Sequence, residues 1–117
     1  MDTVRAASRR TDEVAVLELA GDLDVSSADD AERELLRLED GAPPHLVIDL
    51  RQVTFLDSTG LRLIVAADSR ARRSGRRMSV VHGPESVRRV FRITLLEWRL
   101  DFVDDPAQAI GLEDDGS

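Results

Sequence analysis

The sequence predicts an α/β fold, an open mixed β-sheet with an N-terminal hairpin and helices alternating with the later strands. Three observations lead there. Short runs rich in apolar and β-branched residues recur at residues 14–19, 45–50 and 78–82. Runs of that length read as strands, and the nearly unbroken HLVIDL reads as one buried on both faces. Between them lie longer stretches with apolar residues at helical spacing, as in Ala28, Ala31, Leu35 and Leu38. Turn residues separate the two kinds of stretch: Gly41-Ala42-Pro43-Pro44, Gly75 and Gly83-Pro84. Helix and strand in alternation imply parallel pairing through right-handed crossovers. The strands are too few to close a barrel.

Taken in order, residues 4–8 form a weak strand candidate. Thr11-Asp12-Glu13 turns it into a second strand at 14–19, where Val14, Val16 and Leu17 sit with Glu18, and Gly21 stops that strand. Ser26 or Ser27 caps the first helix, and Asp29 and Asp30 in its first turn suit the positive end of the helix dipole. The Gly-Ala-Pro-Pro run ends it, and the strand at 45–50 follows. Asp57-Ser58-Thr59-Gly60 reads as a loop rich in capping residues. A second helix runs from Leu61 to about Ser74, with Leu61, Ile64, Val65 and Asp68 on one face and Gly75 after its end. A buried strand at 78–82 leads to Gly83-Pro84-Glu85, with Pro84 near the first position of a third helix. Val87, Val90, Phe91 and Thr94 share a face of it. Residues 100–103 make a last short strand, and residues 106–112 a final helix.

The chain has 117 residues, which fits one domain at residues 3–112 followed by a short polar tail at 113–117. There is no cysteine, so neither a disulfide framework nor a thiolate metal site is possible. The net charge of −7 disfavours nucleic acid and anionic membrane as partners. Aromatic residues are 3% of the chain, too few for a base-stacking surface. No apolar run reaches signal-peptide or membrane-span length, so a cytoplasmic protein is expected.

In open α/β sheets, function gathers at the carboxyl ends of the strands. That edge holds Gly21-Asp22-Leu23-Asp24 after the second strand and Asp57-Ser58-Thr59-Gly60 before the second helix. Ser58 sits where a helix begins, where backbone N–H groups lack helical partners and favour an anion. A phosphate on Ser58 would add about −1.5 to −2 charge to a surface that already holds Asp22, Asp24 and Asp57. The plainer reading makes Ser58 an N-cap, worth roughly 1 kcal/mol. Thr59 reads as a second acceptor or as part of the helix start. His45 and His82 have no second ligand at zinc spacing, and no metal site is expected. The five arginines in residues 70–77 read as a solvated face that complements the negative end of the second helix. A hydrolase using Ser58, His82 and an Asp is the enzymatic alternative. The serine lacks a G-x-S-x-G setting, and a domain of this size leaves little room for a substrate pocket.

VIDLRQVTFLDSTGLRLIVAA, residues 47–67, resembles the signature of the STAS domain, shared by sulfate transporters and anti-sigma factor antagonists. The family pattern is a strand ending in Asp, a short apolar stretch, then D-S-[ST]-G-L at a helix start. Asp49, Phe55, Asp57, Ser58, Thr59, Gly60 and Leu61 match it. Leu19-Ala20-Gly21-Asp22-Leu23-Asp24 is similar to the family's L-x-G-E-L-D, with Asp22 in place of the more usual Glu. Residues 106–110 are similar to its terminal helix. Thr94 stands where the family often has Gly, which would alter the turn after the third helix. The resemblance implies a STAS-like sheet and an anti-sigma factor antagonist that is not an enzyme and takes no cofactor. It implies Ser58 as the phosphoacceptor, with Asp22, Asp24, Asp57, Thr59 and Gly60 on the partner surface. The implied partners are an anti-sigma factor with serine kinase activity and a protein phosphatase. A STAS scaffold without phosphorylation, or a subunit of another complex, is the alternative.

Overall fold

The computed structural model describes residues 5–11 and 13–109. The chain runs β1 (Arg5–Arg10), β2 (Val14–Leu23), α1 (Ala28–Asp40), β3 (His45–Leu56), α2 (Ser58–Arg73), β4 (Arg77–Val81), α3 (Glu85–Ile93), a 3-10 turn (Leu96–Trp98) and β5 (Phe102–Val103). Residues 106–109 are helical, and the remainder of the expected final helix lies outside the described residues, as do the tail and Asp12. The five strands lie in chain order, β1-β2-β3-β4-β5. β1 pairs antiparallel with β2, and the later neighbours pair in parallel. This is the mixed open sheet the alternation implies. Thr11 closes the hairpin, its Oγ1 accepting from the N–H groups of Glu13 and Val14.

Consecutive right-handed crossovers place every connecting helix on one face of the sheet. The strand pleat then sorts the core. Ala15, Leu17, Leu19, Leu46, Ile48, Leu50, Met78 and Val80 pack with α1, α2 and α3 through Leu35, Leu38, Ile64, Ala67, Val87 and Phe91. The alternate residues Val14, Val16, Val47 and Val81 form a smaller cluster on the other face, where Ala109 and Val103 pack on them. A strand buried on both faces is apolar at nearly every position, which explains HLVIDL. The polar residues on the second face are paired: Asp49 with Arg51 at 2.9 Å, and the His45 ring with Ser79 Oγ at 2.8 Å.

Several boundaries differ from those the sequence predicts. Gly21 does not stop β2. It takes φ 97° inside the strand, a conformation glycine adopts without steric cost, at a register shift between Gly21 and Asp22. β3 also outruns its expected end at Leu50. β4 pairs only with residues 45–49, while β2 follows β3 out to the Leu23–Leu56 pair. The two strands therefore project beyond the sheet as a two-stranded extension. α2 starts at Ser58 rather than Leu61, so Thr59 and Gly60 are helical. β4 lies one residue earlier than expected. β5 has only two residues, preceded by the 3-10 turn that no periodicity foreshadows. Thr94 keeps an ordinary right-handed conformation, φ −87°, and donates its hydroxyl to the Val90 carbonyl at 2.7 Å. The left-handed residue of that turn is Leu95, at φ 65°. Among the described residues no helix is long and apolar enough to cross a membrane.

Candidate functional site

The β2–β3 extension carries both polar segments singled out in the sequence. Asp22 lies opposite Phe55 in the ladder, and Leu23 opposite Leu56. Asp57 follows directly and is the N-cap of α2, its backbone extended at φ −105° and ψ −174°. Its Oδ1 accepts from the N–H of Thr59 at 2.9 Å and of Gly60 at 3.1 Å. Its Oδ2 accepts from the N–H of Val25 at 3.2 Å, and its own N–H donates to the Leu23 carbonyl at 3.3 Å. One carboxylate thus caps a helix and pins the loop after β2 to it.

This overturns two expectations for Ser58. Ser58 is not the cap, because Asp57 is. Nor do the neighbouring N–H groups lack partners. Asp57 takes those of Thr59 and Gly60, and Leu61 donates to the Asp57 carbonyl at 2.9 Å. Ser58 is the first residue of α2 and is exposed. Its hydroxyl has no hydrogen-bond partner among the described residues, so it has no structural duty that a modification would interrupt. A phosphate there would feel the favourable end of the helix dipole but would also lie beside the Asp57 carboxylate.

Gly60 is buried, and its role is close approach. A Cβ on it would stand 2.6 Å from the Leu23 carbonyl oxygen and 2.8 Å from Leu56 Cδ1. Gly60 therefore shapes the site and does not present a surface. Thr59 is half-buried. Asp22, also half-buried, accepts from Thr54 Oγ1 at 2.7 Å. Asp24 Oδ1 accepts from the Ser26 hydroxyl at 2.7 Å and the Ser26 N–H at 3.0 Å. The Ser26 hydroxyl bond is the main cause holding the Asp24 carboxyl below its ordinary value. Ser27 stands at the N-cap position of α1, but its hydroxyl turns back, donating to the Asp22 carbonyl at 2.7 Å and accepting from the Asp24 N–H at 3.0 Å. Asp22, Asp24, Asp57 and Ser58 are thus brought to one edge by a single hydrogen-bonded loop.

Two residues of this edge escaped the sequence reading of its surface. Val25 is 74% exposed and Phe55 is 50% exposed. They give an acidic surface an apolar component. The signal for Val25 is its place in Asp24-Val25-Ser26-Ser27, an apolar side chain in a capping segment with no strand or helix face to fill.

Other candidates belong elsewhere. His82 is half-buried and stacks on Phe102 with ring centroids 4.5 Å apart, and burial is the main cause lowering its pKa. The arginine run is only partly a solvated face. Arg70 grips Glu39 of α1 at 2.7 and 2.8 Å. Arg72 binds the buried Asp68 and the Arg99 carbonyl, both at 2.7 Å. The run ties α2 to α1 and to the 3-10 turn. Among the described residues no group of His, Asp or Glu is placed to hold a metal.

Comparison with known proteins gives one family and a set of similar folds. The family model for the STAS domain matches residues 5–109. An anti-sigma factor antagonist from Mycobacterium paratuberculosis superposes with a TM-score of 0.85 at 25% identity, over 94% of this chain and 93% of that one. The Bacillus cell fate determinant SpoIIAA in its phosphorylated form gives 0.71 at 19% identity, over 92% and 97%. A sulfate transporter family protein from Wolinella succinogenes gives 0.72 at 15% identity, over 85% and 83%.

Proposed function

The chain belongs to the STAS domain family, and on that premise we propose that it is an anti-sigma factor antagonist, a protein–protein switch controlled by phosphorylation of Ser58. Unphosphorylated, it binds an anti-sigma factor that is also a serine kinase; the kinase adds a phosphate to Ser58 and a protein phosphatase removes it. The protein is cytoplasmic, performs no catalysis of its own and uses no cofactor. Its partner surface comprises Asp22, Asp24, Asp57 and Thr59, held in shape by Gly60, with Val25 and Phe55 as apolar contacts.

The observation that carries this reading is the position of the Ser58 hydroxyl. It is exposed and without a hydrogen-bond partner among the described residues, at the start of a helix that another residue caps. A group in that position can be modified without loss of a fold contact. A charge of about −1.5 to −2 would then be added beside Asp57, Asp24 and Asp22. Desolvating it at an interface is costly, so the modification blocks the partner while the domain stays folded. The likeness to an antagonist at 25% identity supports the general role.

The test is reaction of the chain with ATP and anti-sigma factors of the serine kinase type, followed by mass spectrometry and binding calorimetry. Phosphate is expected on Ser58 and not on Thr59. Ser58→Ala should escape phosphorylation and bind constitutively, and the phosphorylated chain should bind at least about tenfold more weakly. Unchanged labelling of Ser58→Ala, or unchanged binding by the phosphorylated chain, would sink the proposal.

A further inference from the structure

Away from this site, three large apolar side chains stand in water on one knuckle. Ile93 at the end of α3 is 71% exposed, Leu95 68% and Trp98, in the 3-10 turn, 84%. The knuckle is also basic. Residues 89–99 contain three arginines and one glutamate. Arg92 pairs with Glu85 and Arg99 with Asp68, while Arg89 is exposed and in no ion pair among the described residues. Arg89 precedes Ile93 by one helical turn and shares its face.

The opposite end of the molecule has the complementary character. Residues 22–30 contain four aspartates and no basic residue. Asp57 adds a fifth carboxylate, and Val25 and Phe55 are the exposed apolar residues among them. α3 starts at the carboxyl edge of the sheet and runs back, and the 3-10 turn precedes β5, which is parallel to β4. The knuckle therefore lies at the amino edge and cannot reach the acidic end of its own chain. A knuckle-to-knuckle contact would oppose like charges. The remaining match is with another molecule.

We propose that the Ile93–Leu95–Trp98 knuckle of one copy docks on the acidic, apolar end of a second copy around Val25 and Phe55, so that the chain associates head to tail. A few apolar anchors and a salt-sensitive charge match make a weak contact, with Kd on the order of 0.1–1 mM. Such a contact is heterologous and leaves one free surface of each kind at the ends. It covers the surface assigned above to the partner, but it requires neither partner nor phosphate, so its test is independent of that reading.

The experiment uses purified chain alone. Trp98 is the only tryptophan, so its emission reports burial of the knuckle. Sedimentation velocity of the wild-type chain should show association rising toward about 1 mM and weakening with salt. Trp98→Ser and Val25→Arg, both at exposed positions, should each lower the association constant at least about tenfold with unchanged circular dichroism. Mixed one to one, the two variants should associate again as a pair, because each retains the surface the other lacks. Trp98→Ser is free of tryptophan, so its addition to Val25→Arg should shift the emission of the latter to the blue. A wild-type chain that stays monomeric with unshifted emission would overturn the proposal. So would wild-type association by Val25→Arg alone, or a mixture that neither associates nor shifts.

Discussion

Leu95 holds φ 65° and ψ 14°, in the left-handed region, which costs an L-residue with a Cβ about 1–2 kcal/mol. Its side chain points into water, so no packing offsets the cost. Leu95→Gly should therefore raise stability by about 1 kcal/mol, read as a higher urea midpoint at unchanged slope; a midpoint that stays or falls would show that the backbone is unstrained. Gly60 is the opposite case, a residue fixed by what surrounds it. The Leu23 carbonyl approaches so closely that any side chain would push α2 away from the end of β2. The two positions show how differently a turn and a contact constrain one residue. The first tolerates a poor choice at a price in stability, and the second tolerates only glycine.

The start of α2 joins three segments through Asp57. Asp57→Ala removes acceptors for the N–H groups of Thr59, Gly60 and Val25 together. An ordinary cap is worth about 1 kcal/mol, and the further bond raises the expected loss to about 2 kcal/mol. Chemical denaturation measures it, and a loss no larger than that of a simple cap would show that the Val25 link adds nothing. The sequence reading recognised this segment by its capping residues, yet it began the helix at Leu61, because Ser-Thr-Gly reads as loop when the cap one residue earlier is unseen. The same logic explains β3. HLVIDL was legible because both its faces are buried. RQVTFL was not, because β4 stops short and leaves Arg51, Gln52, Thr54 and Phe55 exposed, so the composition turns polar inside a continuing strand. Gly21 misled for a related reason. A left-handed glycine within a bulged strand has the same local signature as one that ends a strand.

In the whole molecule two cores of unequal size share one sheet. The smaller has no crossover helix above it; among the described residues it is covered by the segment that brings Ala109 onto Val14, Val16, Val47 and Val81. Ala109→Arg would place an unpaired charge against that face and should cost about 3 kcal/mol or expel the segment. Thermal unfolding would register the loss, and dye binding to the uncovered valines would distinguish expulsion. An unchanged midpoint would mean that the segment contributes little. The sheet is also open on both sides. One rim is β1, Arg-Ala-Ala-Ser-Arg-Arg, exposed along its length; the other is β5, two residues long. Any chain seeking to join by adding a strand meets three guanidinium groups on one side and almost no ladder on the other. Charged side chains on a rim and a very short rim strand are both means by which natural proteins discourage edge-to-edge pairing of strands. This chain can therefore be crowded, and can meet other proteins through its helix and loop ends, without offering its backbone as a template for fibrils.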